Sequence, residues 1–464
     1  MYLDITFPMA EATVPPSFEE VERRPYLGLL KLAYPLIIAF SIQTGFNAVD
    51  TIFVGRLGSD AIAALSLAYP FQMIMYAIGG GLGIGAQSLI ARAIGSRNPR
   101  DAEDASKHSL LLAVICGTLT ALIGLSAAPL VIGSFGAPEG VNILSMDYLT
   151  VILGGSMFYF LMFSLDSILR GEGSTKRSMY FMASSAVLNI FLDPIFIFGL
   201  GMGVSGAAIA TVLARAVVVV AMVYHIILRK RNVVKLHLRS FKYSGVIVRQ
   251  IVGIGIPASL TQLSYSISLF AMNTILAFYG ADAIAAFGIG FKIESLAFLP
   301  MFGMAGAFVS AVGYFKGSGQ TSKILSLKNF AYLSTMVFMS ACAVIFFVFP
   351  ESIYRIFTDS AMVIDMGREY MMINVLVYPI VPLTSISVAG FQGLGRGNPP
   401  LLISLIRSWF VVIPLSWVFS FIMGYDISYI WWSMVAGNLT SAIIAGTWFH
   451  ISTKKFRKEE SGIL

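Results

Sequence analysis

Two carboxylates interrupt long apolar runs, where a charge is expensive. Asp50 lies in Phe46-Asn47-Ala48-Val49-Asp50-Thr51, and Asp193 in Asn189-Ile190-Phe191-Leu192-Asp193-Pro194. A carboxylate at the centre of a bilayer costs about 2.5–3.5 kcal/mol on insertion scales, so its presence needs a reason. Gln43, Asn47 and Asp50 follow i, i+4, i+7 spacing and share one helical face, and Asn189 and Asp193 are i, i+4 neighbours. If the two acids share one level of one cavity, both cannot stay ionised cheaply, and the pair becomes a proton carrier. Alternatively, the carboxylates with amide and hydroxyl oxygens form an oxygen cage for a hard cation such as Na⁺. The plain alternative is a polar contact between helices, worth about 1 kcal/mol.

Other ionisable groups carry less weight. Asp166 stands four residues before Arg170, and an i, i+4 ion pair explains it without transport. Glu294 lies two residues from Lys292, on a different side of the helix, and is a candidate for a second-lobe cation site. Arg215 and Arg407 either snorkel or line the cavity. Pro35 falls inside the same apolar run as Asp50 and can kink it, giving a hinge. The glycine run Gly79–Gly85 lacks the Lys-Ser/Thr of a phosphate loop and reads as close helix packing.

The elements that position these residues follow from composition. The chain has 464 residues, 57% of them hydrophobic and 12% charged, with 43 Gly; its mean hydropathy is +0.81. A soluble domain carries about 25% charged residues. Cytosolic enzymes, nucleic-acid binders and disulfide scaffolds are excluded, and a polytopic membrane protein remains. Cys116 and Cys342 each sit in an apolar run, and the four histidines lack metal-ligand spacing. Residues 1–25, with five acids and Pro15-Pro16, read as a mostly disordered cytoplasmic lead rather than a cleavable signal.

About 20 apolar residues cross roughly 30 Å of hydrocarbon. Cutting at charged, Gly and Pro punctuation gives twelve spans: 27–55, 60–92, 105–135, 141–169, 176–200, 205–228, 246–279, 283–315, 325–349, 365–394, 399–423 and 428–453. Most of the 31 Lys/Arg residues fall in the termini and even-numbered loops, whereas the odd-numbered loops hold only Arg56, Arg355 and Arg368. Both termini are therefore expected in the cytoplasm of a cell-membrane protein. The densest cluster, from Arg229 to Arg249, is a topology signal and an inter-lobe linker rather than a nucleic-acid patch.

The chain also repeats itself at a shift of 222 residues. Gly58-Ser59-Asp60-Ala61-Ile62-Ala63-Ala64-Leu65 matches Gly280-Ala281-Asp282-Ala283-Ile284-Ala285-Ala286-Phe287; Pro35 pairs with Pro257, Gly81 with Gly303, and Gly95-Ser96 with Gly317-Ser318. Six spans separate the copies, so both enter the membrane from one side as a parallel repeat, with a substrate site expected between the lobes. The expected organisation is a lead (1–25), a first lobe (26–228), a basic linker (229–245), a second lobe (246–453) and a cytoplasmic tail (454–464). In this register Asp50 faces Met272, and Asp193 faces Ile413 or Leu415, so ionisable chemistry is expected in the first lobe.

These features resemble the multidrug and toxic compound extrusion (MATE) family. The residues that carry the resemblance are Lys31-Leu32-Ala33-Tyr34-Pro35, Asn47 to Gly58, Leu169-Arg170-Gly171-Glu172-Gly173, Asn189 to Pro194 and Gly201 to Ala208. Acids in spans one and five are similar to the DinF-like prokaryotic branch, its archaeal members most of all. The resemblance implies an all-α, V-shaped transporter of twelve helices in two six-helix lobes, not an enzyme and without a cofactor. It implies export of organic cations and amphipathic drugs in exchange for H⁺ or Na⁺ by alternating access, by a monomer. It assigns ion coupling to Asp50, Asn189, Asp193 and Thr211, the substrate cavity to Gln43 and Tyr148, with Asn47 beside them, and the hinge to Pro35. Phe46 stands where a Tyr can occur and Asp166 where an Asn is usual. A flippase for lipid-linked precursors is the alternative within the superfamily, favoured by a basic cavity; the expected first-lobe cavity is acidic. An intramembrane aspartyl protease would need a Gly-x-Gly-Asp motif, which is absent.

Overall fold

Long apolar runs leave the backbone no partner in hydrocarbon except itself, so each becomes a helix. The computed structural model describes residues 15–228, 234–237 and 241–460, and these are helical almost throughout. The first lobe comprises α2 (Pro25–Gly55), α3 (Ser59–Gly95), α4 (Pro99–Ser134), α5 (Glu139–Gly154), α6 (Ser156–Gly171), α7 (Thr175–Pro194) and α8 (Gly203–Val223), preceded by a short α1 (Pro16–Arg23). The second comprises α9 (Gly245–Leu276), α10 (Ala281–Ala297), α11 (Leu299–Gly317), α12 (Thr321–Val348), α13 (Pro350–Tyr354), α14 (Ala361–Asn374), α15 (Val381–Gly393), α16 (Asn398–Leu405), α17 (Ile413–Trp417) and α18 (Ser428–Glu460).

Eight of these helices, with their helical extensions, are long and apolar enough to span a membrane, and three bent pairs bring the number to eleven. The bends are 48° between α5 and α6, 49° between α10 and α11, and 57° where α14 gives way to α15. The more polar α18, with Asn438, Ser441 and His450, packs against α12 and α15 and takes the twelfth place. Pro35 does not break its helix: α2 runs through it uninterrupted, as α9 runs through Pro257. Wider turns of π type follow α7 (Ile195–Gly199) and interrupt the eleventh span at Ile406–Val412 and Val418–Ile422.

The internal repeat is visible in how the lobes meet. Helix α3 packs on α9, and the repeat-related α11 packs on α2. Gly95 and Gly317 occupy equivalent positions, each with the opposite lobe's backbone where a Cβ would stand. A Cβ on Gly95 would lie 2.0 Å from the Tyr314 carbonyl oxygen, and one on Gly317 2.0 Å from that of Arg92. Ser88 Oγ donates to the Gln392 carbonyl at 2.6 Å, and its counterpart Ser310 Oγ donates to the Arg170 carbonyl, the counterpart of Gln392, at 2.8 Å. Among the described residues, hydrogen bonds between lobes all lie toward the end of the bundle that carries α1, here called the base.

The amino-terminal lead is more ordered than its composition suggests. Residues 16–23 form α1, an amphipathic helix that buries Phe18 and Val21 completely. Phe18 stacks on Tyr314 with ring centroids 4.5 Å apart, and Glu22 Oε1 accepts hydrogen bonds from Tyr314 Oη at 2.8 Å and Gln320 Nε2 at 3.1 Å. The apolar partner that orders α1 is thus some 300 residues away in sequence. Residues 1–14 lie outside the described residues, as does most of the basic cluster of the linker, where Val234 and Leu236 are buried. The tail at 454–460 continues α18.

Candidate functional site

The two acids singled out by sequence meet. Asp50, on α2, and Asp193, near the end of α7, bring their carboxyl groups within hydrogen-bonding reach of each other. Asp193 is 0% exposed and Asn189 2%. Asn189 Nδ2 donates to Asp193 Oδ1 at 2.9 Å, as their i, i+4 spacing on α7 allows. Three buried oxygens in this cluster, Asp50 Oδ1, Asn189 Oδ1 and Asp193 Oδ2, have no donor. Buried acceptors left unpaired are costly. A proton shared by the two carboxyl groups, or a hard cation among carboxylate and amide oxygens, satisfies them.

Below this cluster, toward the base, lies a first-lobe chamber of about 240 Å³. Gln43, Asn189 and Thr211 line it, together with the rings of Phe40, Phe46, Tyr76, Tyr159 and Phe163. Asp50 and Asp193 are not among its lining residues; Asp193 lies one turn beyond Asn189 on α7. The charged groups that face the chamber are Arg170 and Arg215. The expectation of an acidic lining is thereby corrected. Shared helical faces told which residues gather, but not how far each side chain reaches.

Asp166 is 4% exposed and pairs with Arg170, Oδ2 to Nη2, at 2.6 Å, while Ser178 Oγ also donates to it. Arg170 in turn packs over the ring of Phe40. Arg215 extends from α8 with its guanidinium 5.1 Å from the Tyr159 ring centroid, electrostatically close to Asp50. Asn47 is exposed and takes a hydrogen bond from Gln43 at 3.3 Å. Tyr148 borders a small side cavity with Arg215 rather than the chamber, and accepts from Gln72 Nε2 at 3.0 Å. Pro35 is buried and does not line the chamber.

The second lobe holds its own cavity, about 140 Å³, lined by Glu294, Arg407, Tyr265, Tyr370, Tyr378 and Asn374 among others. Tyr378 Oη donates to Glu294 Oε1 at 3.0 Å, and Tyr370 lines the same cavity. Lys292 is exposed and is not its partner. Arg407 lies over Tyr265 and approaches Asn438 at 3.4 Å. Both arginines left open by sequence therefore line cavities. Their signal was the rarity of a guanidinium within a span, and the side they face required the packed helices.

This is the architecture of a polytopic membrane transporter with paired helical lobes. The MatE family matches residues 35–195 and 257–418, two segments beginning at the repeat-related Pro35 and Pro257, and the chain belongs to that family. It is similar to a probable multidrug resistance protein NorM of Thermotoga maritima, 31% identical over 84% of each chain. A multidrug export protein MepA of Staphylococcus saprophyticus is 26% identical, covering 90% of this chain and 92% of that one. Among solved structures, a MOP superfamily transporter from Pyrococcus furiosus, described as having a binding pocket of reverse polarity, superposes with a TM-score of 0.92 at 30% identity over 96% of this chain and 100% of that chain. An outward-facing multidrug resistance MATE family transporter superposes with a TM-score of 0.91, also at 30% identity, over 96% of this chain and 100% of that chain.

Proposed function

We propose that this member of the family is a secondary active efflux antiporter of the plasma membrane. It exports amphipathic compounds, organic cations among them, in exchange for H⁺ or Na⁺ by alternating access, as a monomer. Asp50 and Asp193 carry the coupling ion, Asn189 and Thr211 supply further oxygens, Gln43 attends the substrate from the chamber wall, and Asn47 and Tyr148 act from outside it, Asn47 through its hydrogen bond with Gln43. The observation that carries this reading is the set of three donorless buried oxygens around two facing carboxyl groups. An ion entering from the outer side loads the pair, neutralises the end of the chamber and weakens the hold on a cationic group. With the base and both termini in the cytoplasm, as the Lys/Arg distribution supports, closure at the base leaves the substrate facing outward.

Asp166 serves this reading as a structural ion pair that holds Arg170, and Pro35 as the point where α2 deforms. Lipid-linked precursor flipping is not favoured, because the relatives are multidrug proteins and one of the two chamber arginines is occupied by Asp166. The test is transport in proteoliposomes with pH and Na⁺ gradients imposed separately and a panel of fluorescent cations. Efflux driven by either gradient supports the reading, and identifies the ion. No response to both gradients overturns it.

A further inference from the structure

Arg215 lies within a membrane-spanning helix and, among the described residues, makes no ion pair and no hydrogen bond. Its neighbour is the face of Tyr159, and Asp50 is close enough to act on it electrostatically without pairing. A guanidinium has five donors in a rigid fork and cannot shed its charge. Half-buried at the chamber wall, it offers those donors to whatever occupies the chamber. The chamber's other arginine, Arg170, is already neutralised by Asp166 at 2.6 Å, so among the described residues Arg215 is the chamber cation without an ion pair.

The poles of the chamber are ordered along its helices. Thr211 and Arg215 lie one turn apart on the same face of α8, about 6 Å at 1.5 Å per residue. Thr211 stands with Asn189 in front of the acid pair, and Arg215 stands below it, toward the base. Between and around them are the rings of Phe40, Tyr76 and Tyr159. A simple organic cation is drawn through space to the acid end, across Asn189, but meets repulsion at Arg215. A simple anion satisfies Arg215 but meets the acids. An aromatic zwitterion satisfies both.

We propose that Arg215 is a specificity-determining residue that binds the acidic group of the substrate, so that the first-lobe chamber selects aromatic zwitterions over plain cations. This rests on the antiport reading and deepens it. Loading the acid pair with H⁺ or Na⁺ still weakens the cationic end, while Arg215 keeps its charge throughout and discriminates among substrates.

The test is equilibrium binding to the purified full chain in nanodiscs, without any gradient, followed by fluorescence anisotropy. The probes are ciprofloxacin, an aromatic zwitterion near neutral pH, and its ethyl ester, which keeps the amine and lacks the carboxylate. The wild-type chain is expected to bind the acid at least tenfold more tightly than the ester. Arg215→Gln is expected to bring the two affinities within about twofold, by weakening the acid and not the ester. Arg215→Lys, which keeps the charge but not the fork, is expected to fall between. Equal affinities in the wild-type chain overturn the proposal without any variant being needed, and so does an undiminished preference in a folded Arg215→Gln. Because no gradient is applied, failure of ion-driven transport leaves this result standing, and the two readings fail separately.

Discussion

The two lobes agree where they touch and differ where they are hollow. At the base particular contacts recur in both lobes: Ser88 to Gln392 and Ser310 to Arg170 are the same hydrogen bond made twice, and Gly95 and Gly317 make the same close approach. In the cavities one repeat position carries different chemistry. Gln72 in the first lobe corresponds to Glu294 in the second; Gln72 donates to Tyr148, whereas Glu294 accepts from Tyr378 and shares its cavity with Tyr370, the counterpart of Tyr148. The first lobe is neutral at that position and holds its acids at Asp50 and Asp193; the second has Met272 opposite Asp50 and its cavity acid at Glu294. Backbone-to-backbone contact permits little change, because adding any side chain collides with a carbonyl. A cavity tolerates a change of charge as long as a neighbouring hydroxyl supplies the hydrogen bond. The repeat thus supplies a common scaffold, and each lobe places its ionisable group independently.

That division can be broken first at the acids. Asp50→Asn and Asp193→Asn are each expected to lower gradient-driven efflux in vesicles at least tenfold, whereas Glu294→Gln changes it by no more than about threefold. Equal losses from all three would erase the functional difference between the lobes. At the base the two lobes should respond alike. Gly95→Val and Gly317→Val each force a side chain onto a carbonyl, at a cost of about 1–3 kcal/mol, and thermal unfolding in detergent should show matching losses.

The tyrosines sharpen the contrast between the cavities. Tyr378→Phe removes a donor to a carboxyl group and is expected to cost about 1.5–3 kcal/mol if that group is charged, against about 0.5–1.5 kcal/mol for Tyr148→Phe. The comparison of the two unfolding midpoints checks it, and reversal of the order would contradict the assignment of Glu294 as the second-lobe acid. The smallest effect belongs to the repeated hydrogen bond. Ser88→Ala should cost about 0.6–1 kcal/mol, and Ser310→Ala more, because Ser310 Oγ also accepts from Gln87 Nε2 at 2.9 Å; the sign of that difference, read from the same melts, is the informative quantity.

Much of this was legible in the chain. Twelve spans, two lobes and the meeting of Asp50 with Asp193 follow from apolar run length, a register of 222 and i, i+4 spacing. The same register already aligned Gln72 with Glu294, although nothing in one residue's type says that its partner is a tyrosine. What did not show was depth. Asp50 and Asp193 share a face with Gln43 and Asn189, yet they lie one to two turns further along their helices, beyond the chamber lining. Arg215 was ambiguous for the same reason, since an arginine in an apolar run can reach outward along its stem or turn inward. Helix α1 was missed because a segment rich in glutamate and proline has no fold of its own; Tyr314, Gln320 and Lys323 provide it.

Helix α1 has a mechanical consequence. It is covalently part of the first lobe, through the single residue Arg24 that separates it from α2, and it is fastened to the second lobe through Phe18 and Glu22. A rigid rotation that parts the lobes at the base must therefore peel an aromatic stack and a doubly bonded carboxylate, or drag α11 with it. In the language of machines, the amino-terminal helix is a strap sewn to one jaw and buttoned to the other, and the jaws cannot open at that end with the button done up.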